Sequence, residues 1–163
     1  MIPHKAQDPY DWPAVLHLLQ ASFTYMTGRI DPPSSLATLD AKAIADHART
    51  HEVWIIGAPP LACMFLTPQP GALYIGKLAV AEGHRNKGHG RTLITVAEER
   101  ARALSLPRMT LQARVELVEN HAAFAALGFA EVTRTAHPGY MTPTAITFSR
   151  LVPAVACTPP PRL

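Results

Sequence analysis

The chain has 163 residues, 48% apolar and 17% charged, with a net charge of +3. That is enough for one domain with a real core and short for two, and no run approaches the ~18 apolar residues of a membrane span. The start, MIPHKAQDPYDW, lacks the apolar centre of a signal peptide, and the basic residues form no block with interleaved aromatics; the expectation is a cytoplasmic protein that binds neither membrane nor nucleic acid.

Asp11 caps a first helix whose opening turn tolerates Pro13, with Val15, Leu18, Leu19, Ser22 and Phe23 on one face at helical spacing. TGRIDPPSS breaks the pattern and reads as a loop. Asp40 caps a second helix with Ile44, Ala45 and Ala48 inward. EVWIIGAPPLACMFLTPQP reads as a hairpin of two strands around Gly-Ala-Pro-Pro, and ALYIGKLAV as a third strand. GRTLITVAEERARALSL is the clearest helix, with Leu93, Ala97, Ala101 and Leu104 as its inner stripe and Pro107 blocking its continuation. MTLQARV alternates as a strand. NHAAFAALGF reads as a short helix capped by Asn120 and closed by Gly128 in the left-handed conformation. FAEVTRT and AITFSRLV are two last strands.

The order is helix, helix, three strands, helix, strand, helix, two strands. The early strands are close enough in sequence to be antiparallel, and the strand–helix–strand unit from Ala72 to Val115 is a parallel crossover. The fold class is α/β, a mixed sheet with helices on both faces. One domain spans residues 1–152, and a proline-rich tail spans 153–163. Cys63 lies in an apolar run as a buried thiol, Cys157 lies in the tail, and neither has metal-site spacing.

The segment LAVAEGHRNKGHGRTLI, Leu78 to Ile94, carries the chemistry: a strand enters a basic glycine turn and a helix leaves it. The triphosphate P-loop does not fit, because His89-Gly90 follows Gly88 where lysine and a hydroxyl residue are required. The dinucleotide fingerprint does not fit either, because Leu93 holds the place of its third glycine. Arg85-Asn86-Lys87-Gly88-His89-Gly90 does fit an Arg-x-x-Gly-x-Gly turn into a helix start. Free N–H groups, the helix dipole, close backbone approach at glycine, and the charges of Arg85, Lys87 and Arg91 suit a diphosphate held without metal.

This segment resembles the acyl-CoA-binding motif of the GNAT-type N-acetyltransferases, and ENHAAFAALGF resembles that family's next block. With the order of elements, the resemblance covers roughly residues 5–152 and implies the GNAT fold, a twisted mixed sheet flanked by helices. It implies acetyl-CoA as acyl donor and a primary amine of a small molecule or peptide as acceptor, with direct attack in a ternary complex and no metal. It implies that the strand before the turn splays from its neighbour, so that Leu78, Ala79 and Val80 pair with the pantetheine arm. Arg85, Asn86, Lys87, Gly88, His89, Gly90 and Arg91 then wrap the diphosphate, and Asn120 meets the cofactor near the arm or serves as a plain helix cap. A strand N–H near Val80 serves the oxyanion. The family is often dimeric through its late strands.

The family's usual proton donor to the sulfur, a tyrosine four residues before the glycine of Leu-Gly-Phe, is Phe124 here. Tyr140 or a water is the substitute, and Glu116 and Glu119 are the candidate bases. His121 is expected to be exposed at its helix start, and His89 to pack. Tyr25, Arg29 and Asp31, in the loop between the first two helices, are the candidates for acceptor recognition; Arg29 suits an acidic group and Asp31 an ammonium. His47 and His51 are four apart without a third ligand. Phe124 keeps a second reading open, an acyl-CoA-binding or protein-interaction module with little catalysis. A hydroxyl acceptor or a longer acyl chain is a third.

Overall fold

The computed structural model describes residues 1–153, so almost all of the expected tail, Cys157 included, lies outside the described residues. A seven-stranded sheet has the order β1-β2-β3-β4-β5-β7-β6. Its strands are β1 (His4–Lys5), β2 (Glu52–Ile56), β3 (Ala62–Gln69), β4 (Ala72–Val80), β5 (Arg108–Arg114), β6 (Ala130–Thr135) and β7 (Ala145–Leu151). Among the described residues only β4 and β5 pair in parallel; every other neighbouring pair is antiparallel. The helices are α1 (Trp12–Ser22), α2 (Ala41–Thr50), α3 (His89–Ala103) and α4 (Val118–Ala126). The mixed sheet, the hairpin and the parallel crossover are as the sequence implies. The two-residue β1 is an addition, too short to leave an alternating pattern.

Each face of the sheet carries its own apolar cluster. On one, Leu73, Ile75 and Leu111 pack under Leu93, Ile94, Ala97 and Ala101 of α3, with Phe124 and Leu127 of α4 against them. On the other, Val53, Ile55, Phe65 and Ala79 pack under Val15, Leu18 and Leu19 of α1 and Ile44 and Ala45 of α2. Asp11 and Asp40 cap their helices as expected, accepting from Ala14 N at 3.1 Å and Ala43 N at 2.8 Å.

Three local expectations are corrected. The inner stripe of α3 includes Ile94 rather than Leu104, which follows the last helical turn and is 39% exposed. Asn120 is not a cap: α4 starts at Val118 with Leu117 in the cap position, and Asn120 is the third helical residue. Leu117 is 1% exposed, so burial of its side chain fixes where the helix begins and overrides capping preference. His121 is half-buried rather than exposed, with Nε2 2.9 Å from the Arg114 carbonyl and its ring against Phe148. The end of α4 is as expected: Gly128 has φ +89°, Phe129 N–H donates to Phe124 O, and Gly128 N–H donates to Ala125 O. Among the described residues no helix is long and apolar enough to cross a membrane.

Candidate active site

The site is a wedge in the middle of the sheet. β4 and β5 pair only where Ala72, Leu73 and Tyr74 meet Arg108, Met109 and Thr110. Beyond that, β4 continues along β3, and β5 continues along β7. A bulge sets the divergence. Between the pairs Phe65↔Gly76 and Cys63↔Ala79, β4 has two residues, Lys77 and Leu78, where β3 has only Met64. Lys77 takes a positive φ of 49° there, and such an insertion bends its strand and ends regular pairing. The resulting cleft, about 1130 Å³, runs through the sheet from the loop after α1 to the start of α3.

The unpaired edge of β4 faces this cleft. Ala81 N–H reaches Leu61 O at 2.8 Å, so strand alternation turns the polar groups of Val80 the other way, into the wedge. The Val80 carbonyl accepts from Arg85 Nε at 3.3 Å.

At the far end is the glycine turn. Asn86 and Gly88 have φ of +62° and +85°, both left-handed, and alternation of this kind gathers successive N–H groups into a concave nest. The first helical bond of α3 is Thr92 N–H to Gly88 O, and the N–H groups of residues 86–91 have no partner among the described residues. A Cβ built at Gly88 or Gly90 meets nothing within 4 Å. The space over the nest is therefore open, as a bound diphosphate requires. Lys87 and Arg91 are exposed beside it.

Arg85 precedes this run and makes contacts of its own. Its N–H is directed at Glu82 O at 3.4 Å, and its guanidinium reaches Val80 O and, at 3.4 Å, Ser22 O. It ties the end of α1 to β4, and the free N–H run begins at Asn86. His89 is half-buried, with its ring 6.3 Å from that of His84.

The opposite mouth is bridged. Arg29 grips Glu119 with two hydrogen bonds of 2.6 and 3.0 Å, and the guanidinium holds the Glu119 carboxyl below its ordinary range. Asn120 Nδ2 donates to Tyr25 Oη at 3.1 Å. The candidate base Glu119 and the candidate recognition residue Arg29 thus neutralise each other. Arg114 holds the same loop by donating to Pro32 O and Pro33 O at 2.8 and 3.3 Å. Tyr140 donates to Asp31 at 2.6 Å, a bond that raises its pKa. Asp31, Glu116 and Tyr140 do not line the cleft, whereas Tyr25, Arg29, Glu119, Asn120 and Phe124 do. Phe124 stands edge-on to Phe148, with centroids 5.6 Å apart.

Tyr74, Lys77 and His137 also line the cleft and were missed. Lys77 had a signal: it is the one charge in the strand ALYIGKLAV. His47 and His51 lie outside the cleft with tilted rings, centroids 5.2 Å apart. Among the described residues no group of three or more His, Cys, Asp or Glu side chains is placed to hold a metal ion.

A family model described as the acetyltransferase (GNAT) family matches residues 12–129. No protein of curated function matches the sequence. Solved structures are similar in fold. A GNAT-family acetyltransferase from Staphylococcus aureus superposes with a TM-score of 0.71 at 13% identity, over 93% of this chain and 98% of the other. An acetyltransferase from Streptococcus agalactiae gives 0.70 at 17%, over 91% and 96%. The ribosomal-protein-S18-alanine N-acetyltransferase from Escherichia coli gives 0.65 at 17%, over 94% and 96%.

Proposed function

The chain belongs to the GNAT acetyltransferase family, and from that premise we propose that it is an acetyl-CoA-dependent N-acetyltransferase that acts on a primary amine of a small molecule or peptide. The observation that carries the reading is the conjunction of the β4–β5 wedge with the run of unpartnered N–H groups over residues 86–91. Bound acetyl-CoA would supply an acetyl group on a sulfur leaving group, activated for attack by an amine.

The residues present fit that group. The nest at 86–91, with Lys87 and Arg91, suits a diphosphate. The free edge of β4 from Leu78 to Val80 suits an amide-containing arm added as a strand. The Val80 N–H, turned into the wedge, suits an oxygen that gains negative charge. Phe124 supplies no proton, and Tyr140, bonded to Asp31 outside the cleft, is not in position to replace it. A thiol with a pKa of about 8.5 departs without a proton donor. Glu119, the one carboxylate lining the cleft among the described residues, is made less basic by Arg29. No carboxylate is therefore assigned as base, and with the amine shedding its own proton kcat/KM is expected to climb with pH toward the amine pKa of about 10.

The test is thiol release from acetyl-CoA across a panel of amines and alcohols, beside calorimetric titration of acetyl-CoA alone. Binding with turnover supports the reading. Binding without turnover on any amine or alcohol favours the binding-module alternative that Phe124 motivates, and no binding refutes both.

A further inference from the structure

Six fully charged residues are among the described residues that line the cleft: Arg29, Lys77, Arg85, Arg91, Arg114 and Glu119. Four of the five cations have an evident occupation. Arg29 is neutralised by Glu119. Arg85 and Arg114 donate to backbone carbonyls. Arg91 stands in the first turn of α3, beside the nest. Lys77 is different. It is half-buried, and burial draws its pKa down. Its carbonyl accepts from Cys63 Sγ, but its side chain has no hydrogen bond or ion pair among the described residues, and its ammonium lies over the Phe65 ring, 5.3 Å from the centroid.

Its position matters as much as its charge. Phe65 and Ala79 belong to the cluster under α1 and α2, while Leu73, Ile75, Leu78 and Val80 belong to the cluster under α3 and α4. Lys77 therefore stands on the α1–α2 side of the sheet, the side of the loop that carries Tyr25 and Arg29. Tyr74 lies on that side as well, with its ring 3.2 Å from where a Cβ at Gly76 would sit. Its hydroxyl has no partner among the described residues, and burial raises its pKa. With the donor's diphosphate at residues 86–91, the acceptor enters from this other mouth.

A partly buried cation without a counter-ion is unfavourable unless a ligand brings the opposite charge. An acceptor that carries only positive charge would meet a cleft of net positive charge with its one carboxylate already taken. On the reading of this site as an acetyltransferase, we propose that the acceptor carries a carboxylate beside its amine, as a free amino acid does, and that Lys77, with the Tyr74 hydroxyl, holds that carboxylate. Polyamines and other simple polycations are disfavoured by the same charge pattern.

The experiment uses matched pairs that differ by the carboxylate: tyrosine and tyramine, phenylalanine and phenethylamine, lysine and cadaverine. Turnover is measured on the full chain with acetyl-CoA, and acetyl-CoA binding is measured separately. The acid member of at least one pair is expected to have kcat/KM at least about tenfold above its decarboxylated partner, the size of one charge-assisted contact. Lys77→Met is expected to erase that preference with acetyl-CoA affinity unchanged, and Lys77→Glu to reverse it toward the diamine. A mere loss of packing would lower both members alike. Should Lys77→Glu fail to fold, Lys77→Met carries the comparison. A preference for the decarboxylated members, a preference that survives Lys77→Met, or acetyl-CoA binding with no carboxylate-bearing amine turned over would each overturn the inference and leave the cofactor reading standing. Failure of acetyl-CoA to bind would bring down both.

Discussion

Gly90 separates what the glycine turn does for the fold from what it does for a ligand. It is the second residue of α3, its φ is not left-handed, and a Cβ there meets nothing within 4 Å. Gly90→Ala therefore meets no clash and no backbone strain. Replacing a helical glycine by alanine at a compatible site stabilises by about 0.4–1 kcal/mol, mostly by restricting the unfolded chain. For a domain of this size that is a rise in Tm of roughly 1–4 °C. The same methyl group protrudes into the space over the free N–H groups of residues 86–91. If it displaces a diphosphate oxygen from one of them, the lost charge-assisted hydrogen bond is worth about 1.5–3 kcal/mol, or about 10- to 150-fold in acetyl-CoA affinity. Thermal unfolding and calorimetric titration of the variant give the two numbers. A more stable protein with weaker binding is expected. A variant at least as stable that binds acetyl-CoA with unchanged affinity would refute the placement of the diphosphate.

Glu52 is 9% exposed and accepts from Arg100 Nε at 2.9 Å and from Trp54 Nε1 at 3.3 Å; Glu52→Ala strands both donors and should cost about 2 kcal/mol, discounted because Arg100 stays a third exposed, with Glu52→Gln recovering part of it in urea unfolding. Burial pushes the Cys63 thiol up to about 12, so in a Cys157→Ser background the native protein should resist a thiol reagent near neutral pH and react fully once unfolded; fast labelling of the native protein would contradict the burial. His47 is drawn below its ordinary pKa, first by burial and then by His51. The unfolded chain therefore binds the extra proton more readily, and stability should fall as pH drops from about 6.5 toward the folded pKa. His47→Gln should flatten that part of a urea-midpoint profile, and an unchanged slope would assign it to other groups.

Much of the frame was legible because local signals agreed with tertiary packing. Asp11 and Asp40 mark helix starts that the structure uses, and Gly128 marks a helix end that needs a left-handed residue. The glycine turn was legible for the same reason: free N–H groups at a helix start follow from the chain alone. Failures came where a distant contact outweighed a local preference. Asn120 is a good cap by type, yet burial of Leu117 moved the start of α4, and Asn120 turned to Tyr25, 95 residues away in sequence. No spacing marks the reach of Arg85 to the end of α1. No pattern in the sequence pairs Arg29 with Glu119 or Tyr140 with Asp31, because each pair joins segments far apart in sequence that only the folded sheet brings together.

The most direct test of the central claim is an amide ¹H–¹⁵N NMR titration with CoA. The account predicts the largest shifts at residues 86–91 and along Leu78–Val80, with little change in β6. No binding, or shifts confined to surfaces away from the wedge, would contradict it.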